Sequence, residues 1–257
     1  MTKINDDLPS VVQISLMHAK QSAAALPNSI IFPGAKAPVA SLGAEEATHL
    51  RLQALARYAG ARSRDSRVID NSVSQVVLVV EGAVKLIASA AAGRTQVMGF
   101  YFKDDFIYVP ARDTHAYNLC ALTDCELVAF PATEFIRLAQ SDKTLNNNFL
   151  SHLLRALGRC REKSLALGQK TARERVATFL VSMAERIGAP FSNGAVLDLP
   201  MSRRDIGDNI GLTIETVSRQ MTELRNAGIV STSGRSQVKI LDLAALKQEA
   251  GHLPVPT

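Results

Sequence analysis

The chain has 257 residues, 47% of them hydrophobic and 21% charged, the make-up of an ordinary globular protein with one or two cores. Its 29 Lys and Arg against 24 Asp and Glu give a net charge of +5, and no apolar run approaches the roughly 18 residues that a membrane span needs. These numbers argue against a membrane partner, and the opening MTKINDDLPS lacks the apolar core of a secretory signal, so the expected location is the cytoplasm.

Residues 1–40, with the Ala-, Pro- and Ser-rich stretch AKQSAAALPNSIIFPGAKAPVA, are expected to form a loosely ordered extension. From Ser41, SLGAEEATHLRLQALARYAG places Ala47, Leu50 and Ala54 at helical spacing, with Gly60 as the stop, which predicts a short helix. Between Arg67 and Phe130 the texture changes to short runs of Val, Ile, Phe and Tyr. Turns are expected at Glu81-Gly82, Ala92-Gly93, Lys103–Asp105 and Thr123-Asp124. Such regular short strands predict an antiparallel barrel or sandwich within residues 41–143.

In NFLSHLLRALGRCREKSLALG, the residues Leu150, Leu153, Leu157, Cys160, Ser164 and Leu167 follow alternating steps of three and four. That is a coiled-coil seam on a helix over 144–168, to be covered either by a second copy or by the chain's own strands. Gly168 breaks the helix, and Thr171 and Glu174 are spaced as a capping box opening the next one. Val176, Phe179, Leu180, Met183 and Ile187 mark its core face. A second domain over 169–257 follows, making the fold α+β.

Within that domain, DIGDNIGLTIETVSRQMTELRNAGIV carries the densest set of local signals. Ser202 with Asp205 forms a capping box, Met201 and Ile206 are placed as a hydrophobic staple, Gly207 permits close approach, and Gly211 supplies a turn. Thr213 caps a second helix on which Val217, Met221 and Leu224 face inward. Glu215, Ser218 and Arg219 then share an outer face near the N-terminal end, where a recognition helix meets base edges. Arg can donate two bonds to guanine, Glu can accept from the cytosine amino group, and Ser can do either. The bland reading, an exposed ion pair between Glu215 and Arg219, explains neither the caps nor the turn.

After Gly228, IVSTSGRSQVKIL reads as a hairpin turning at Ser233-Gly234, the wing of a winged helix. Ser202, Arg203, Arg204, Thr213, Thr216 and Arg235 are the candidates for backbone phosphates, which position a protein without specifying sequence. From Lys170 to Lys239, ten basic residues against seven acidic ones leave +3, mildly in favour of a polyanionic partner.

On these motifs the chain resembles the CRP/FNR family of bacterial transcription regulators from about Ser41 to Leu241. VVEGAVKLIASAAAGRTQVMGFYFKDDFI matches the sensor barrel, a cyclic-nucleotide-binding-like jelly roll, and KTARERVATFL and DIGDNIGLTIETVSRQM match the DNA-binding part. ETVSR is closest to the FNR and FixK branches. The resemblance implies a homodimer joined along the long helix, RNA polymerase as a further partner, and double-stranded DNA with TTGA-type half-sites read by Glu215, Ser218 and Arg219. The family's cyclic AMP cassette needs a Gly-Glu pair and an Arg-Ser pair; DDFIYVPARDTHAYNLC has neither. The FNR-type iron-sulfur cluster needs N-terminal cysteines, and none precedes Cys120. Cyclic AMP and that 4Fe-4S cluster are therefore not expected, and the effector is left open.

Other signals are sparse. Cys120 and Cys125 flank the Thr123-Asp124 turn and would meet across a hairpin as a thiol switch, while Cys160 on the seam would face its symmetry mate. His115 is a lone candidate for haem or pH sensing. An alternative is thus a ligand- or redox-sensing module, using Cys120, Cys125, Cys160 or haem, whose helix-turn-helix mainly binds protein. No nucleophile with its base, paired carboxylates, phosphate loop or metal-ligand spacing is present, so no enzymatic activity is expected.

Overall fold

The computed structural model describes residues 51–251 apart from 53, 67, 71, 90–92, 112–115 and 235. The N-terminal extension, most of the helix expected from Ser41, His115 and Arg235 lie outside the described residues. The chain divides into two compact units, residues 1–84 with 101–155, and residues 85–100 with 156–257.

In the first unit, β1 (Arg57–Ala61), β2 (Gln75–Glu81), β5 (Phe106–Val109) and β7 (Cys125–Pro131) form a four-stranded antiparallel sheet in the order β1-β7-β2-β5. The strands β3 (Ala83–Ser89), β4 (Thr95–Phe102) and β6 (Ala116–Ala121) belong to a separate sheet ordered β4-β3-β6. The turns expected at Glu81-Gly82, Lys103–Asp105 and Thr123-Asp124 are present, and their chemistry is visible, while Ala92 of the fourth lies outside the described residues. Gly82 has φ 84°, and a Cβ there would lie 2.3 Å from the Asp124 carbonyl oxygen, so only glycine fits where the two turns abut. At the β4–β5 turn, Asp104 takes φ 71° and the Asp105 carboxylate accepts the Phe102 amide at 2.9 Å.

Helix α1 (Ala132–Ser141) follows β7, and α2 (Lys143–Gln169) is the long helix. The apolar cluster of the first unit gathers Val76, Leu78, Phe106, Val128 and Phe130 from the sheet with Phe135, Leu145 and Phe149 from the helices. Its rings meet edge-on or tilted, with centroids 5.8 Å apart for Phe106 and Phe149, 5.1 Å for Phe130 and Phe135, and 5.0 Å for Phe135 and Phe149. Such pairs add about 0.5–1.5 kcal/mol each to the gain from burial.

Two sequence expectations are corrected here. Gly60 does not end a helix: the last helical bond is Ala56 N–H to the Leu52 carbonyl, and Arg57–Ala61 pairs instead with Ala129–Cys125 as β1. A free strand edge on β7 outweighs the local helical spacing. Cys120 and Cys125 do not face each other across a hairpin, because β6 and β7 enter different sheets; Cys120 bridges to Ser66 and Cys125 registers with Ala61. Among the described residues the strands before the long helix form two sheets, in keeping with the expected barrel or sandwich.

The second unit is built on α3 (Ala172–Ile187), capped by the Thr171–Glu174 box, with Val176, Phe179, Leu180 and Met183 buried. The strands β8 (Ala189–Phe191), β9 (Gly194–Asp198), β10 (Val230–Ser233) and β11 (Gln237–Ile240) form a sheet ordered β10-β11-β9-β8. Helices α4 (Arg203–Ile210) and α5 (Ile214–Asn226) lie between β9 and β10 in sequence, and α6 (Leu243–Glu249) closes the fold. One guanidinium ties three helices. From α3, Arg175 donates to the Leu167 and Lys170 carbonyls at 2.9 Å each and to the Ile210 carbonyl at 3.4 Å, satisfying oxygens that helix ends leave open. Arg173 grips Glu249 of α6 through two nitrogens, at 2.5 and 2.8 Å.

Candidate nucleic-acid interface

The helix pair α4–α5 is assembled by the side chains the sequence marked. The Ser202 hydroxyl accepts the Asp205 amide at 3.1 Å while the Asp205 carboxylate accepts the Ser202 amide at 2.9 Å and hydroxyl at 2.7 Å, the reciprocal capping box. Met201 and Ile206 are both buried, as a staple requires. At the other end Gly211 adopts φ 68°, and a Cβ on Gly207 would stand 2.5 Å from the Leu212 carbonyl oxygen. Both glycines are therefore demanded by the tightness of the turn. Thr213 then caps α5, accepting the Thr216 amide at 3.3 Å.

Burial divides α5 into two faces. Val217 and Leu224 are 0% exposed and Met221 5%, whereas Glu215, Ser218 and Arg219 are all exposed. The Glu215 carboxyl is held below its ordinary range, first by its own backbone amide, then by the Thr213 hydroxyl, with Arg204 adding a positive charge nearby. It stands ionised at neutral pH as an acceptor beside two donors. Thr222, one turn beyond Ser218 and also exposed, donates to the Ser218 carbonyl at 3.1 Å.

The phosphate candidates separate by exposure. Ser202, Arg204 and Thr213 are exposed, and Thr216 is half-buried with its hydroxyl 3.2 Å from that of Thr213. Arg203 is half-buried; burial lowers its pKa, and its buried Nη1 meets no hydrogen-bond partner among the described residues. The wing strands pair as expected, Val230 with Ile240 through Ser233 with Gln237. On β11, Lys239 places its ammonium 5.1 Å from the centre of the Phe191 ring, a cation–π contact that draws it onto β8. Sequence reading missed β8 and β9, although Asn193-Gly194 beside the alternating AVLD was the signal for that hairpin.

Of the seam residues on α2, Leu150, Leu153 and Leu157 are 50%, 38% and 47% exposed, and Cys160 and Ser164 are exposed with them. Leu167 is half-buried and its Cδ2 lies against Gly211. The exposed stripe is broader than the seam, since Leu154 and Leu165 are uncovered too. No disulfide joins Cys120, Cys125 or Cys160, and burial pushes the Cys125 thiol up to about 11, which suppresses the thiolate that redox chemistry needs. Among the described residues no group of three His, Cys, Asp or Glu side chains is placed to hold a metal ion, and no helix is long and apolar enough to cross a membrane.

A β-rich unit with its helices and a winged helix-turn-helix is the architecture of a DNA-binding transcription regulator, and known proteins agree. Residues 174–249 match the Crp-like helix-turn-helix domain and residues 69–142 the cyclic nucleotide-binding domain. The transcriptional activator protein FnrL of Cereibacter sphaeroides is 37% identical over 180 residues, 68% of this chain and 73% of the relative. The nitrogen fixation regulation protein FixK of Azorhizobium caulinodans is 33% identical over 189 residues, 72% of this chain and 76% of the relative. Among solved structures, FixK2 from Bradyrhizobium japonicum superposes with a TM-score of 0.65 at 30% identity, covering 78% of this chain and 99% of that one. The chain belongs to the CRP/FNR family of transcription regulators.

Proposed function

We propose that this regulator is a homodimer that reads a TTGA-type palindrome through Glu215, Ser218 and Arg219. The observation that carries the reading is the division of α5: three polar side chains of different hydrogen-bonding character stand exposed near its N-terminal end, over an inner face buried to 0–5% exposure. A rigidly seated helix can hold its donors and acceptors against base edges without first ordering them. Ser202, Arg204, Thr213 and Thr216 flank that face and take phosphates, setting its register on the duplex. Arg203 and Arg235 belong to the same set, Arg203 once its half-buried guanidinium turns outward.

The second copy covers the leucines of α2, which puts two reading helices on one duplex and matches a two-fold protein to a palindrome. The protein acts in the cytoplasm, with RNA polymerase as its further partner.

Cyclic AMP is not its signal, nor is an FNR-type cluster. The stretch from Asp104 to Cys120 contains neither Gly nor Ser, and all three cysteines lie at or beyond position 120. The test is fluorescence anisotropy with a TTGA palindrome, a scrambled duplex and a salt series, with and without cyclic AMP. Preference for the palindrome, a steep loss of affinity with salt and no effect of cyclic AMP are expected. Equal affinity for both duplexes overturns the base-reading role.

A further inference from the structure

Residues 85–100, most of the β3–β4 strand pair, belong to the same compact unit as the helix-turn-helix. Side chains from three helices hold that pair. The Lys85 ammonium is ion-paired with the Asp205 carboxylate of α4, both side chains being largely buried at 20% and 14% exposure. One turn further along α4, the buried Asn209 donates from Nδ2 to the Val97 carbonyl at 3.0 Å. From α2, Lys163 donates to the same carbonyl at 2.8 Å and to that of Met98 at 3.1 Å. From α3, Arg186 donates to the Phe100 carbonyl at 2.8 Å, and the Phe100 and Phe179 rings meet edge to face at 6.0 Å.

Asp205 and Asn209 are four residues apart and share one face of α4. That helix is therefore fastened to the strand pair at its first turn and again near its end. Asp205 divides its two oxygens: Oδ2 closes the capping box with Ser202, and Oδ1 takes Lys85. The carboxylate that starts the first helix of the reading pair is thus the one that ties it to β3. The Val97 carbonyl likewise spends both lone pairs, one on Asn209 and one on Lys163. Neither bond is a loose surface contact, since an unpartnered Asp205 or Asn209 would be left buried without compensation.

We propose that Lys85 and Asn209 are positioning residues for DNA reading: the β3–β4 pair is the handle that sets the orientation of α4, and through the rigid Gly211 turn that of α5. The inference rests on the DNA-reading function proposed above. Coupling of this kind is reciprocal: to the extent that the β3–β4 pair sets DNA affinity, DNA held by α5 biases that pair in return, although no proposed DNA-contacting side chain lies on it.

The experiment combines hydrogen exchange by mass spectrometry with anisotropy titration of the full chain against a TTGA palindrome. In the wild type, adding the duplex is expected to change exchange across residues 85–100. Lys85→Met and Asn209→Ala are each expected to weaken binding at least about fivefold, the lower end of ordinary coupling, and to remove that change. Lys85→Arg, which keeps the charge, is expected to restore both. The salt dependence of Lys85→Met is expected to match the wild type, because a lost phosphate contact would instead lower the slope by about one.

A wild type that prefers the palindrome yet shows no exchange change over residues 85–100 overturns this inference alone. So does a well-folded Lys85→Met variant that binds like the wild type, or one whose salt slope drops. A wild type that does not distinguish the palindrome from a scrambled duplex overturns the reading function and this inference together.

Discussion

Helices α2 and α5 both leave one face uncovered, and the two faces are chemical opposites. On α2 the exposed side chains of that face are largely apolar, with Leu150, Leu153, Leu154, Leu157 and Leu165 between 38% and 59% exposed. On α5 they are Glu215, Ser218 and Arg219, set over an inner face that is almost fully buried. Full burial of a leucine side chain is worth about 1.5–3 kcal/mol, so the α2 face gains most from an apolar partner without directional demands. The α5 face gains little from such a partner and much from one offering matched donors and acceptors. The kind of surface left open thus underlies the two partners proposed: a second α2 in one case, base edges in the other.

That contrast can be broken most severely on α2. Leu153→Glu combined with Leu157→Glu puts charges where a dimer would bury them, at about 3–5 kcal/mol for each unpaired buried charge, and symmetry repeats the cost in the second subunit. The variant is expected to sediment as a monomer and to lose tight palindrome binding. A dimer surviving both substitutions would place the interface elsewhere. Next in size comes the buried side of α5: Leu224 is 0% exposed, so Leu224→Ala is expected to cost about 2–5 kcal/mol in chemical denaturation.

On the exposed side the expectation reverses. Arg219→Ala should leave the denaturation midpoint within about 0.5 kcal/mol of the wild type, as for an ordinary surface change. It should still cost about 1–3 kcal/mol on the palindrome and relax guanine preference at one position. An Arg219→Ala variant that unfolds easily but discriminates normally would mean that the residue serves structure rather than reading. Ser202→Ala is milder, about 1 kcal/mol of stability for a lost cap, with the helix pair intact by circular dichroism.

The same contrast explains what the sequence made legible. The α4–α5 region could be read almost residue by residue because its determinants are local: Ser202 with Asp205, Thr213 with Thr216, and glycines at 207 and 211 act within four residues of one another. The wing strands were legible for the same reason. Strand partners in the first unit were not, because pairing is decided by segments far apart in the chain. Cys120 and Cys125 are five positions apart yet enter different sheets, and Arg57–Ala61 becomes a strand because β7 offers it an edge. The two short strands around Asn193-Gly194 were passed over because Ala189–Phe191 is only three residues long, exposed throughout and without alternation. Least legible was the pairing of Lys85 with Asp205 across 120 positions, since a lone Lys in a strand gives no sign of its partner.

A pH series tests whether that distant contact is electrostatic. Burial pushes the Asp205 carboxyl upward, but its hydrogen bond to Lys85 and those to the Ser202 hydroxyl and amide outweigh burial and hold it below the ordinary carboxylate range. A carboxyl whose folded pKa is depressed adds stability above its unfolded pKa of about 3.9, and that stability is lost as pH falls through the lower folded value. Asp205→Asn keeps an acceptor for the cap but removes the charge. The variant should therefore be less stable than the wild type at pH 6, and the gap should close as the pH drops from about 4 downward. Denaturation midpoints measured across that range check the sign, and a gap that persists undiminished at the acid end would show that Lys85 and Asp205 are held together by packing rather than by charge.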